Sequence, residues 1–182
     1  RHVAVLLAAL LTLAPTAALA QHEGHMHDDD APAKAASASR DPKLPAGEDD
    51  ALDALNHTPR HGEYIDVAVP GDVTLRTWVS YPERSDKAGV VILIHEIFGL
   101  SDWIRGVADQ LAAEGFIAVV PDLVTGLGPN GGGTESAASR DSVVAMVRRV
   151  TPEMGTRRLD AVRAWAVKEP AANGRVGTVG FC

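Results

Sequence analysis

The chain holds one cysteine, Cys182, at the end of Arg175-Val-Gly-Thr-Val-Gly-Phe-Cys182. An apolar run that passes into glycine, any residue and then a nucleophile is how a nucleophile elbow begins: the sharp strand-to-helix bend lifts the reactive atom clear of the sheet. A thiol in that place adds to carbonyl carbons once it is ionised. A second chemical group follows an earlier apolar run, where residues 90–94 lead into His95-Glu96-Ile97-Phe98-Gly99. That segment offers an imidazole, a carboxylate and free backbone N–H groups at the end of a strand. Serine is not the rival nucleophile, because Gly99-Leu100-Ser101 runs on to Trp103 and leaves G-x-S-x-G unmet. A third cluster, His22, His25 and His27 with Met26 and Asp28 to Asp30, has the composition of a weak site for copper, zinc or nickel ions, or simply of a solvated tail. The five glycines between Gly126 and Gly133 lack the Gly-Lys-Ser/Thr ending of a phosphate cradle, and no cofactor motif is present.

The elements that must position these groups are legible in the periodicity. Residues 64–69 and 73–81 alternate around Pro70-Gly71, which predicts an antiparallel hairpin. Residues 90–94 and 116–120 are apolar without interruption, as in strands covered on both faces. Between them Ile104, Val107, Ala108, Leu111 and Ala112 form one helical face, capped by Ser101 or Asp102 and ended by Gly115. A helix over 141–150, a second begun by Thr151-Pro152, and a strand over 175–181 complete the pattern. The fold class is α/β: an antiparallel N-terminal hairpin, then parallel strands with helices on both faces, ending at the elbow. In such a sheet ligands bind at the carboxyl ends of the strands, so Glu96 and Cys182 can meet there.

Composition bounds the rest. Apolar residues are 46 % and charged residues 23 %, enough for one globular core, and the net charge of −7 argues against nucleic acid as a partner. Residues 1–20 read as a signal peptide: Arg1, an apolar run over 3–13, and Ala18-Leu19-Ala20 before Gln21. The run is too short for a stable membrane span, so a periplasmic or secreted protein is expected. Residues 21–61 are polar and rich in Ala, Asp and Pro, which predicts a flexible linker. Residues 62–182 form the folded part.

The run Val91-Ile-Leu-Ile-His-Glu-Ile-Phe-Gly-Leu100, then Gly115-Phe116 through Pro121-Asp122-Leu123, then Gly180-Phe181-Cys182, resembles the dienelactone hydrolase family, carboxymethylenebutenolidase-like α/β-hydrolases with a cysteine nucleophile. The resemblance covers residues 64–182 and implies a small-molecule lactone or ester as substrate. It implies that Cys182 attacks the carbonyl, that Glu96 contacts the resting thiol and takes part in its activation, and that the Ile97 N–H supplies half of an oxyanion hole. It further implies a catalytic Asp and His beyond Cys182, so the stretch is expected to be C-terminally truncated and inactive alone. His95 and Asp122 are expected to be structural. The alternative is a non-catalytic binding protein on the same fold with a metal-binding His-rich tail; a serine-type or dehalogenase relative is disfavoured by the cysteine.

Overall fold

Strands buried on both faces sit at the centre of the sheet, and their side chains divide by parity. The computed structural model describes Asp41 and residues 43–182. Its elements are helix α1 (Glu48–His57), strands β1 (Gly62–Ala68), β2 (Thr74–Ser80) and β3 (Ala88–Ile94), helix α2 (Asp102–Ala113), strand β4 (Ile117–Pro121), helices α3 (Arg140–Val147) and α4 (Pro152–Ala166), and strand β5 (Ala172–Gly180). The five strands make one mixed sheet in the order β1-β2-β4-β3-β5. β1 and β2 form the expected antiparallel hairpin, while β4, β3 and β5 run parallel. Along β4, Ile117 and Val119 join the core under α4, with Val162 and Ala166; Ala118 and Val120 join the core under α2, with Ile104 and Ala108. Helices therefore cover both faces, as parallel strands require.

The helix ends obey the expected chemistry. The Ser101 hydroxyl accepts from the Ile104 N–H at 3.3 Å and caps α2, and Thr151 accepts from the Met154 N–H at 3.2 Å ahead of Pro152 in α4. α3 begins behind Ser139, which accepts from the Ser142 N–H, and ends at Val147, one turn short of the expected 150.

The expected linker is corrected at its far end. Residues 21–40 lie outside the described residues, but α1 occupies 48–57. Glu48, Asp49 and Asp50 fill its first turn, where carboxylates favour the helix dipole. Ala51 is fully buried against α2, where Gly106 leaves room for close approach. Asp109 of α2 then clasps the chain leaving α1. It accepts the Thr58 hydroxyl at 2.8 Å and a two-point contact from Arg60, Nε at 3.0 Å and a terminal nitrogen at 2.5 Å. The expected signal peptide lies outside the described residues, and among those described no helix is long and apolar enough to cross a membrane.

One buried cation ties the hairpin to the far layer. Arg158 of α4, 1 % exposed, donates to both carboxylate oxygens of Asp72 at 2.9 and 3.0 Å, and to the Leu123 and Thr125 carbonyls at 2.7 and 2.9 Å. Hydrogen bonding from that guanidinium holds the Asp72 carboxyl down to about 2.

Candidate active site

β3 and β5 are neighbours, and the chemistry sits at their carboxyl ends. Ile94 pairs with Gly180, and the Phe181 N–H donates to the Ile94 carbonyl at 3.1 Å, so the ladder runs almost to Cys182. Phe181 is pinned edge-on to Trp103 of α2, ring centres 5.3 Å apart. Cys182 is exposed and opens into a cleft of 280 Å³ that it shares with Glu96, Ile97, Phe98, Trp103 and Arg140. The fold thus brings together all three residues expected to carry the chemistry. A larger groove of 710 Å³ along α4, lined by Pro70, Pro152 and Ala161, contains none of them.

The loop after β3 is held from several sides. His95 is buried; its Nδ1 pairs with the Glu96 carbonyl at 2.8 Å and its Nε2 accepts the Leu123 N–H at 3.1 Å. Those two bonds assign the ring proton to Nδ1 and make His95 a neutral brace between the ends of β3 and β4. The Glu96 carboxylate accepts from the Phe98 N–H at 2.6 Å. Among the described residues no hydrogen bond joins Glu96 to the Cys182 thiol, so the resting contact expected there is replaced by one within the turn. The reason is local: the Phe98 N–H has no backbone acceptor, and the side chain two residues back reaches it. The Ile97 N–H has no acceptor among the described residues, and the residue is 46 % exposed at the mouth of the cleft.

A relay of polar groups fixes the rest of the loop. Asp122, fully buried at the end of β4, accepts the Thr134 N–H at 2.7 Å and the Thr134 hydroxyl at 2.8 Å. That hydroxyl in turn accepts the Leu100 N–H at 2.9 Å. Gly99 lies beside it at φ +72°, and a Cβ there would sit 2.2 Å from the Thr134 hydroxyl oxygen. Asp122 is therefore structural, as expected, and it acts on the site through Thr134.

Sequence reasoning missed three contributors. Thr134 lies in a polar turn (Thr134–Ser136) with no periodicity to mark it. Arg140 lines the cleft with its guanidinium 4.1 Å from the centre of the Phe98 ring. Glu48, from α1, lines the same cleft and forms an ion pair with Arg140. The one available signal was the acidic first turn of α1, which predicts a helix start. No group of three or more His, Cys, Asp or Glu able to hold a metal occurs among the described residues, and His22, His25 and His27 lie outside them.

A model of the dienelactone hydrolase family matches residues 75–182. Carboxymethylenebutenolidase 1 of Cupriavidus pinatubonensis is 34 % identical over 99 residues, covering 54 % of this chain and 42 % of that protein. The carboxymethylenebutenolidase of a Pseudomonas species is 34 % identical over 124 residues, covering 66 % of this chain and 50 % of that protein. Among solved structures, a dienelactone hydrolase-like promiscuous phosphotriesterase from metagenomic libraries superposes with a TM-score of 0.52 at 22 % identity, over 68 % of this chain and 49 % of that one. The chain spans about half the length of the curated relatives it matches.

Proposed function

The chain belongs to the dienelactone hydrolase family, and from that premise we propose that it is part of an exported hydrolase that opens a lactone or small ester through Cys182. The observation that carries the proposal is the single cleft holding Cys182, Glu96 and the unengaged Ile97 N–H. The Cys182 sulfur adds to the carbonyl carbon, and the Ile97 N–H donates to the oxygen as it becomes anionic. The carbon–oxygen ester bond then breaks, the leaving oxygen takes up the proton given by the thiol, and water releases the acid and restores the thiol. Glu96 is the first acceptor of the thiol proton. For that it exchanges the Phe98 N–H for the sulfur, an exchange that a substrate entering beside Ile97 and Phe98 would drive. In this fold the acid and the histidine of a triad come after the nucleophile in chain order. Export rests on residues 1–20, whose pattern is that of a cleaved signal peptide.

The test uses the full-length gene product and a chromogenic ester. Alkylating Cys182 is expected to abolish turnover, and undiminished hydrolysis would refute the nucleophile. Glu96→Gln is expected to lower kcat at least tenfold while leaving the melting temperature within about 2 °C, since its side chain makes one hydrogen bond, to the Phe98 N–H within its own turn, which an amide oxygen can still accept. Parallel losses of both would make Glu96 a scaffold residue only.

A further inference from the structure

We propose that Glu48 is a specificity-determining residue of the Cys182 cleft: by pairing with Arg140 it offsets the one cation there and turns the site toward uncharged acyl groups. This rests on the reading of Cys182 as the nucleophile of that cleft. Among the described residues, the charged side chains that line the cleft are Glu48, Glu96 and Arg140. Glu96 is occupied within its own turn by the Phe98 N–H. Arg140 is the one positive group lining it among the described residues, and its guanidinium sits 4.1 Å from the centre of the Phe98 ring. A substrate carrying a carboxylate would seek that guanidinium, and Glu48 already holds it.

Two features argue that the pair has a role beyond stability. Arg140 is the first residue of α3, where a positive side chain opposes the helix dipole. Its placement is therefore not explained by helix stability. Glu48 is the first residue of α1, an element outside residues 75–182 that match the family. α1 is nevertheless locked in place by Ala51 on α2 and by the Asp109 clasp. The chain thus carries its own anion on a rigid support beside the nucleophile.

The test reads the charge of the cleft directly, without turnover. Cys182 in the full-length product is alkylated with iodoacetate, an anion, and with iodoacetamide, its neutral counterpart, and the ratio of the two rates is measured. Glu48→Gln is expected to raise the iodoacetate-to-iodoacetamide ratio about two- to fivefold, the range of a solvent-exposed ion pair, and the gain should fade at 1 M salt. Arg140→Gln is expected to lower the ratio, and the double variant to return it to the wild-type value. Asp49→Gln, a neighbouring carboxylate that does not line the cleft, serves as the control. An unchanged ratio in Glu48→Gln, or an equal rise in Asp49→Gln, would overturn the proposal. Ester hydrolysis that survives alkylation would instead overturn the nucleophile, and the rate ratio would still report on Glu48.

Discussion

Thr134→Val removes one hydroxyl and keeps the shape of the side chain, so it isolates the relay from Asp122 to the loop after β3. The hydroxyl makes two bonds, one donated to the buried Asp122 carboxylate at 2.8 Å and one accepted from the Leu100 N–H at 2.9 Å. A hydrogen bond to a charged group contributes about 1.5–3 kcal/mol, and a buried N–H left unpaired costs about 1–3 kcal/mol. Thr134 is itself only half-buried, so water recovers part of the loss and the lower half of the sum, about 3 kcal/mol, is the expected cost. At about 2–4 °C per kcal/mol for a chain of 150–250 residues, that is a fall in Tm of about 6–12 °C. Differential scanning calorimetry of the full-length product measures it, with Thr134→Ser as the partner variant that keeps the hydroxyl. Because Leu100 ends the loop that carries Glu96 and Ile97, kcat should fall along with Tm in the valine variant and recover in the serine one. A valine variant within about 2 °C of wild type, or a serine variant melting as low as valine, would refute the relay.

Arg158→Met should cost about 3–5 kcal/mol, because it leaves two buried backbone carbonyls and the part-buried Asp72 carboxylate without their donor; chemical denaturation reads it, and a loss under about 1 kcal/mol would refute the role given to Arg158. Asp72 is held at about 2 against an ordinary 3.8, so the pair contributes stability above the higher value and loses it as pH falls from there through about 2. The difference in denaturation midpoint between wild type and Arg158→Met should narrow across that window, and a constant difference would contradict the assignment. Gly99→Ala places a Cβ 2.2 Å from the Thr134 hydroxyl oxygen in a left-handed conformation. It should therefore cost about 2–4 kcal/mol alone, and no less when added to Thr134→Val, since valine keeps a methyl group where the hydroxyl oxygen stood and the left-handed backbone is unchanged.

The parts of the fold that could be read from the sequence are those whose signal is local. β3 and β4 are uninterrupted apolar runs, and the α2 face repeats with helical period, so burial alone names them. Cys182 and Glu96 were legible because each ends such a run, and neighbouring parallel strands bring their carboxyl ends together. α1 was hidden because its one fully buried residue is an alanine: Ala51 packs where Gly106 allows it, and Leu55, one turn later on the same face, is only half-buried. Thr134 and Arg140 were hidden for a different reason. Their importance comes from pairings with Asp122 and Glu48, and nothing in the local composition of a polar turn or of a helix start announces a partner so distant in the chain.

The same placement explains how the labour is divided around the site. Glu96 and Ile97 follow β3, which has β4 on one side and β5 on the other. The β4 side supplies support: Leu123 holds His95, and Asp122 acts through Thr134 on Leu100. The β5 side carries Cys182. Among the described residues β5 pairs with β3 alone, and most of its side chains are exposed. The position of Cys182 therefore depends on one ladder and on the Phe181 ring against Trp103. A shift of one residue in that ladder would move the thiol by about 3.3 Å and turn it to the opposite face of the sheet. Ile97 follows a strand paired on both sides, while Cys182 follows one that, among the described residues, is paired on one side only, so the register of the β3–β5 ladder sets the alignment of the Cys182 sulfur and the Ile97 N–H more directly than any residue lining the cleft.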